Sequence, residues 1–464
     1  MSKPVVIIPM AIHAACLAWM AKLVQHNVPQ PYMDEIFHIP QAQRYCLGDY
    51  ATWDPKLTTP PGLYIISHGL FLLGRVVGLN LCDVNSLRMV NLVFAVGLYP
   101  VIYGLLTQLH QTTSTLSRAL YALALCWFPV GYFFNFVYYT DTASTFFVLL
   151  SYLFVLQHCY ALAALMGTIA MTFRQTNVIW LAFFMVLSII DIVSAQPKKK
   201  DSGSTLYNPL WSDNTSIVDI VRALWSLMVE TWRSFPAIAP RIFLFMMALV
   251  SFAVFLVWNN GIVLGDRSNH IAGLHFPQLF YFSSFLSFFL LPWTLKVTSI
   301  STCLRCFAHD RLRSLLTASI MVYFVYYFTY EHPFLLSDNR HYSFYVWKNI
   351  YRRHWSIRYL LVPVYMVSGW LNMVHLRRHA TILFMVGYGC VIILTLIPSP
   401  LLEFRYFILP FMFYTLHLAP AYRGRRFILG LSMYLILNGL TMYMFLYRPF
   451  RWDSVPQEWQ RFMW

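Results

Sequence analysis

Across 464 residues, 59% hydrophobic side chains and 11% charged ones exclude an ordinary soluble domain, which carries roughly 45–50% apolar and 25% charged residues. The net charge of +15 does not point to nucleic acid, because the Lys and Arg residues stand beside apolar segments, where they set orientation and meet anionic lipid. The chain reads as an all-α polytopic membrane protein embedded in a lipid bilayer.

The first candidate span, 5–24, is followed by no small-x-small site, so a retained first helix is expected. Further apolar segments cover 62–79, 88–106, 116–134, 142–157 and 160–195. The last is too long for one straight crossing and is broken by Phe173-Arg174-Gln175-Thr176-Asn177. After a polar stretch come 241–258, 277–296, 314–330, 359–374, 381–398, 401–420 and 427–447. The total is about 13 transmembrane helices. The expected division is an N-terminal membrane module (1–195) with a first loop at 25–61, a polar connecting loop (196–238) and a C-terminal membrane module (239–464).

Short basic loops orient such a chain. With 160–195 counted as one crossing, Lys198-Lys199-Lys200, Arg305, Arg311, Arg313, Arg377, Arg378, Arg423, Arg425 and Arg426 all fall in the cytoplasm. Asn214-Thr215-Ser216 is an N-glycosylation sequon and argues for the other side; the three lysines outweigh it. The eight cysteines are scattered through apolar runs and do not read as a disulfide framework. Cys303 and Cys306, with His309 nearby, read as thiols at a helix end, so no metal or other cofactor is expected.

Chemistry concentrates in 30–62, QPYMDEIFHIPQAQRYCLGDYATWDPKLTTPPG, on the non-cytoplasmic side. On this topology Asp83, Asp141 and Asp191 are cytoplasmic, as are five other acids. Asp453 and Glu458 belong to a polar tail, and the acids left are Asp34, Glu35, Asp49, Asp54, Asp266, Glu331, Asp338 and Glu403. Asp266, Asp338 and Glu403 each have an arginine within two residues, which favours a weakly basic carboxylate if they pair. Asp34 and Glu35 have none, and burial at an apolar helix end would raise a carboxylate toward a useful base. Neighbouring helical residues point about 100° apart, so one of the two faces the cavity, and Asp34 is preferred. An acidic cap at the start of a helix over 36–46 is the competing reading. His38, Gln41, Gln43 and Arg44 on following turns favour a bound polar group at this boundary.

The same side carries Arg267, Arg340 and Arg405 in short polar islands, with His270, His275, Asn339 and His341. A planar guanidinium fork suits phosphate. A phosphate site with a carboxylate base in a bilayer implies group transfer from a lipid phosphate to a hydroxyl, and one base without a second carboxylate nucleophile implies inversion at a sugar carbon. Tyr138-Tyr139-Thr140-Asp141 falls at the cytoplasmic face by this count, and Arg174 and Gln175 line a lipid groove or stabilise a kink.

Several blocks, YMDEIFHIPQAQRY, WDPKLTTPPGLY, FNFVYYTD, FRQTNVIW, GDRSNHIAGLHFPQLFYF, LSDNRHYSFYVWK, LLEFRYFILP and QRFMW, resemble the dolichyl-phosphate-glucose-dependent alpha-1,2-glucosyltransferases of the endoplasmic reticulum. The resemblance runs over 32–464 except 196–236. It implies the multi-spanning polyprenyl-phosphate-sugar glycosyltransferase fold of GT-C type, with an active site on the lumenal face of the endoplasmic reticulum membrane. It also implies inverting transfer of the last glucose from dolichyl-phosphate glucose to the diglucosylated dolichol-linked oligosaccharide used for N-glycosylation. In such relatives the base is an acid of the first lumenal loop, which corresponds to Asp34, with Glu35 beside it. The alternatives are a polyprenyl-phosphate-mannose transferase of the same fold and a polytopic transporter, although the two halves show no repeat.

Overall fold

The computed structural model describes residues 3–196, 206–267, 272–294, 296–418 and 424–464. The first helices are α1 (Lys3–Asn27), α2 (Glu35–Cys46), α3 (Gly62–Val76), α4 (Val84–Leu109), α5 (Thr115–Cys126) and α6 (Pro129–Phe134). They are followed by α7 (Asp141–Leu156), α8 (Tyr160–Met171), α9 (Asn177–Ser194), α10 (Ile217–Arg233) and α11 (Phe235–Asn259). Next come α12 (Pro277–Thr294), α13 (Val297–His309), α14 (Arg311–Phe328), α15 (Pro333–Ser337), α16 (Tyr342–Val346) and α17 (Ile357–Leu360). Last are α18 (Val362–Arg377), α19 (Ile382–Leu396), α20 (Ile408–Leu416), α21 (Arg425–Tyr447) and a hairpin of β1 (Phe450–Trp452) and β2 (Val455–Gln460). Among the described residues, six helices are long and apolar enough to cross a membrane. The protein is all-α and polytopic.

The chain forms two compact units that do not follow the boundaries 195 and 239. One comprises 1–126, 134–270 and 380–391; the other comprises 127–133, 271–379 and 392–464. In the first unit α1 and α4 are antiparallel: His13 Nε2 lies 3.0 Å from the carbonyl oxygen of Ala95, and Tyr99 donates to that of Val6. Twenty-six residues at about 1.5 Å each give α4 a length near 39 Å, enough for a bilayer. Aromatic contacts of Phe94 with Phe146, Phe147 and Phe173 knit α4, α7 and the turn after α8 into the core.

Two expectations about the chain path are corrected. Segment 62–79 does not take the chain to the opposite end. Gly62 donates its N–H to the Thr172 carbonyl at one end of α3, and beyond the other end Cys82 is bonded to Cys46 of α2. Between them Tyr64 and His68 of α3 pack on Tyr45 and Tyr50. Thus α3 lies along α2 at one end of the unit, burying Leu63, Tyr64 and Ser67 while exposing Ile65, Leu72, Leu73 and Val76. Segment 160–195 instead runs twice along the unit, as α8 and α9, turning at the polar break 172–176. His158 and Tyr160 meet Asp191 at the end opposite that turn.

The disulfide is a further correction, because the cysteine spacing suggested none. The other six are free. Asp83 is also placed differently. It is the N-cap of α4, accepting from the N–H groups of Asn85 and Ser86, at the same end as α2. The stretch read as a connecting loop contains α10, started by a capping box between Ser216 and Asp219.

Candidate active site

Helix α2 begins directly after Asp34, and Met33 before it adopts φ 55°, a left-handed conformation that a non-glycine residue adopts only where the surroundings impose it. The surroundings here are polar and specific. The Asp34 N–H donates to the Tyr139 hydroxyl at 2.9 Å. Asn91 of α4 donates to the carbonyls of both Val137 and Tyr139 at 2.7 Å, fixing the segment that carries that hydroxyl.

Glu35 is completely buried and has a different environment from its neighbour. Its Oε1 accepts from Arg88 Nε at 2.8 Å and from the Tyr138 N–H at 2.6 Å, while Oε2 accepts from Arg88 Nη2 and from the Tyr32 N–H at 3.0 Å. Arg88 is 4% exposed and also donates to the carbonyls of Val28 and Gln30. The ion pair therefore ties the end of α1, the start of α2, the first turn of α4 and the 135–141 segment together. Such a bidentate, fully hydrogen-bonded pair can persist in a low-dielectric interior. Asp34 itself is half-buried.

His38 lies one turn beyond Asp34 and therefore on the same helix face. Its Nδ1 is 2.6 Å from the Tyr64 hydroxyl, and its ring centroid is 5.9 Å from that of Tyr139. Gln41 has a scaffold arrangement: Nε2 donates to the Thr52 carbonyl at 2.8 Å and Oε1 accepts from the Asp54 N–H at 3.0 Å. Gln43 similarly holds the Cys82 carbonyl. The Arg44 charge lies near Asp49, whose carboxyl is held below its ordinary range first by hydrogen bonds from Thr52 and then from Ala51.

The 138–141 block lies at this site, contrary to the expected cytoplasmic placement. Asp141 is almost fully buried and ion-paired with Arg174 at 2.9 Å. Gln175 donates to the Thr58 carbonyl at 3.0 Å. At Gly62 an added Cβ would stand 2.6 Å from the Thr172 carbonyl oxygen, so only glycine allows the first loop to close on this turn.

Arg267 meets the end of α11, its guanidinium donating to the carbonyls of Asn259 and Asn260. The adjacent backbone runs against the first loop, with the Asp266 N–H donating to the Pro55 carbonyl at 2.6 Å. His270 lies outside the described residues.

The second unit gathers the remaining predicted residues around its C-terminal segment. Arg340 binds Asp338 in bidentate fashion at 2.8 and 2.7 Å, donates to Gln460 at 2.9 Å and stacks 4.7 Å over Trp452. Burial alone would raise the Asp338 carboxyl, but the Arg340 hydrogen bond and the nearby His341 charge bring it below its ordinary value. Asn339 accepts from Trp452, and His341 Nδ1 is 3.0 Å from the Trp464 carbonyl oxygen. Arg405 is paired with Glu403. Trp464 edges against both Tyr342 and Phe404, bringing the 338–342 and 403–405 islands together. His275 donates its N–H to the Ile397 carbonyl. Burial pushes its imidazole down to about 4; the nearby backbone of Pro400 and Ser399 opposes this only in part, and neither ring nitrogen makes a well-formed hydrogen bond.

Sequence reasoning missed Arg88, Asn91 and Tyr139. Arg88 stands at the start of an apolar span, where a flanking charge is ordinary, and Tyr139 belongs to the FNFVYYTD block, which the crossing count puts at the opposite end.

Comparison with known proteins gives consistent results. A rat protein named Dol-P-Glc:Glc(2)Man(9)GlcNAc(2)-PP-Dol alpha-1,2-glucosyltransferase is 40% identical over 97% of this chain and 96% of its own length. Proteins of the same name from human and Arabidopsis thaliana are 38% and 34% identical, covering 97% and 98% of this chain and 96% and 99% of their own. No solved structure matches. Residues 28–416 match the DIE2/ALG10 family, and the chain belongs to that family.

Proposed function

We propose that this protein is a dolichyl-phosphate-glucose alpha-1,2-glucosyltransferase acting on the diglucosylated dolichol-linked oligosaccharide. In this reading Asp34 is the general base. It removes the proton from the acceptor hydroxyl as that oxygen attacks the anomeric carbon opposite the phosphate. The bond to phosphate oxygen breaks, dolichyl phosphate leaves with the electron pair, and the proton stays on Asp34. A β-linked donor thus gives an α-linked product by one inversion. The fold proposed is the GT-C type, with 62–79 removed from the crossings and 160–195 counted twice.

The observation that carries the assignment is the contrast between two adjacent acids. Glu35 is committed to Arg88 and two backbone donors, whereas half-buried Asp34 stands on the His38 face of α2. The Cys46–Cys82 bond beside α2 supports a lumenal location, because disulfides persist in oxidising compartments. His38 and Tyr64 are proposed to contact substrate. Arg340 and Arg405 are proposed as anion-binding groups of the second unit, held in place by Asp338 and Glu403.

Purified wild type should transfer glucose from dolichyl-phosphate glucose to the diglucosylated acceptor. A folded Asp34→Asn variant should still bind donor while losing turnover by a factor on the order of a hundred or more. An equally active variant would remove Asp34 as base. Transfer of mannose, and not glucose, by wild type would replace the donor assignment.

A further inference from the structure

Helix α10 has three distinct faces. Ala223, Ile220 and Leu227 pack inward with Ile382 and Leu383. Asp219, Arg222, Glu230 and Arg233 occupy a polar face; Arg233 pairs with Glu230 and Arg222 covers the Tyr207 ring. Between these lies an uncovered apolar stripe. Ile217, Val221, Leu224, Trp225, Met228 and Trp232 recur at i, i+4, i+7, i+8, i+11 and i+15, within about one third of the helix circumference. All are exposed, Trp232 at 80%.

The position of the stripe identifies what covers it. A single residue, Ser234, separates α10 from α11, and Phe235, Phe243 and Met247 on that helix are exposed as well. Helix α11 contains a strongly apolar stretch and has the length to cross a bilayer. The surface adjoining it is therefore at the depth of a leaflet. Between α9 and α10, a cleft of about 690 Å³ is lined mostly by apolar side chains, among them Ile189, Leu224, Trp225 and Met228, together with Thr231 and Arg233. It lies toward the Asp191 end of α9, remote from the turn that joins the candidate active site.

We propose that α10 lies in the plane of the membrane, in the leaflet opposite the candidate active site, and that a phospholipid acyl chain of this leaflet fills the cleft beneath Trp225. The Arg222 and Arg233 face meets the headgroup layer, as basic groups do beside anionic lipid. This assignment does not depend on the transferase reading.

The full-length protein, with exposed Cys159, Cys306 and Cys390 replaced by Ser, is placed in nanodiscs of phosphatidylcholine and phosphatidylserine. Nitroxides are then attached to Val221→Cys, Met228→Cys and Arg233→Cys. Labels at 221 and 228 should collide severalfold more with oxygen than with a water-soluble nickel chelate, and the label at 233 should show the reverse. Phospholipids brominated in the acyl chain should quench a component of the tryptophan fluorescence that Trp225→Phe removes. Nickel access at 221 and 228 would overturn the proposal, as would spin coupling between copies at 221, which would assign the stripe to a second molecule. Quenching unchanged by Trp225→Phe would overturn the acyl-chain site.

Discussion

The two acids at the start of α2 differ in what they touch, and substitution should separate them. Glu35→Gln leaves Arg88 buried among carbonyls without a counter-charge. Breaking a buried pair on one side costs about 3–5 kcal/mol, so this variant should unfold at markedly lower temperature in micelles, with activity lost through loss of folded protein. Glu35→Gln combined with Arg88→Met should recover part of the stability, whereas Asp34→Asn should lose turnover at near wild-type stability. Thermal unfolding of the four proteins checks this, and equal stability of Glu35→Gln and wild type would refute the clamp. The pair was invisible by proximity in sequence, because the partners are 53 positions apart. The same search for near neighbours foresaw Asp338 with Arg340 and Glu403 with Arg405, which are two positions apart. It failed at Arg267, whose guanidinium donates instead to the carbonyls of Asn259 and Asn260 at the end of α11.

At the scale of elements, hydropathy identifies an apolar helix without saying which way it lies. Helix α3 has an apolar outer face, Ile65, Leu72, Leu73 and Val76, yet its inner face carries Tyr64 and Ser67 to partners in the site. An in-plane helix and a crossing one satisfy the same hydrophobic count. What distinguishes α3 is its attachment at both ends, of which the Cys46–Cys82 bond is one. That bond closes 36 positions, for which chain entropy gives roughly 3–4 kcal/mol. Cys82→Ser should therefore lower thermal stability, and wild type should show free thiols at 46 and 82 to a maleimide only after reduction. Labelling of both before reduction would sink this account of α3. The break at 173–177, by contrast, was legible as a polar interruption, because Asn177 and Arg174 have no reason to stand in lipid. In the fold Asn177 bonds Ser144 and the Ala170 carbonyl, and Arg174 meets Asp141.

At the scale of the chain path, counting one crossing too many at α3 and one too few at α8 and α9 leaves the parity after Ala195 unchanged. The path of the first unit thus puts the end of α9 opposite Asp34, while Asp83 and the 138–141 block exchange ends. Leu206 packs against Ile192 and Val193 at the α9 terminus, so the Asn214 stretch that follows begins at the end opposite Asp34. Lys198, Lys199 and Lys200 lie outside the described residues. The corrected path makes a directional prediction. The exposed thiol of Cys159, in the turn between α7 and α8, and an introduced Gly78→Cys, in the turn after α3, lie at opposite ends of the unit. With Cys306 and Cys390 replaced, an impermeant maleimide applied to intact endoplasmic reticulum vesicles should label Cys159 at once and position 78 only after permeabilisation. On the one-crossing reading of α3 the two would exchange behaviour: position 78 would label from outside, and Cys159, then at the far end of an extra crossing, would be protected. Labelling of both from the same side would exclude either path and reopen the assignment of the site to the lumenal face.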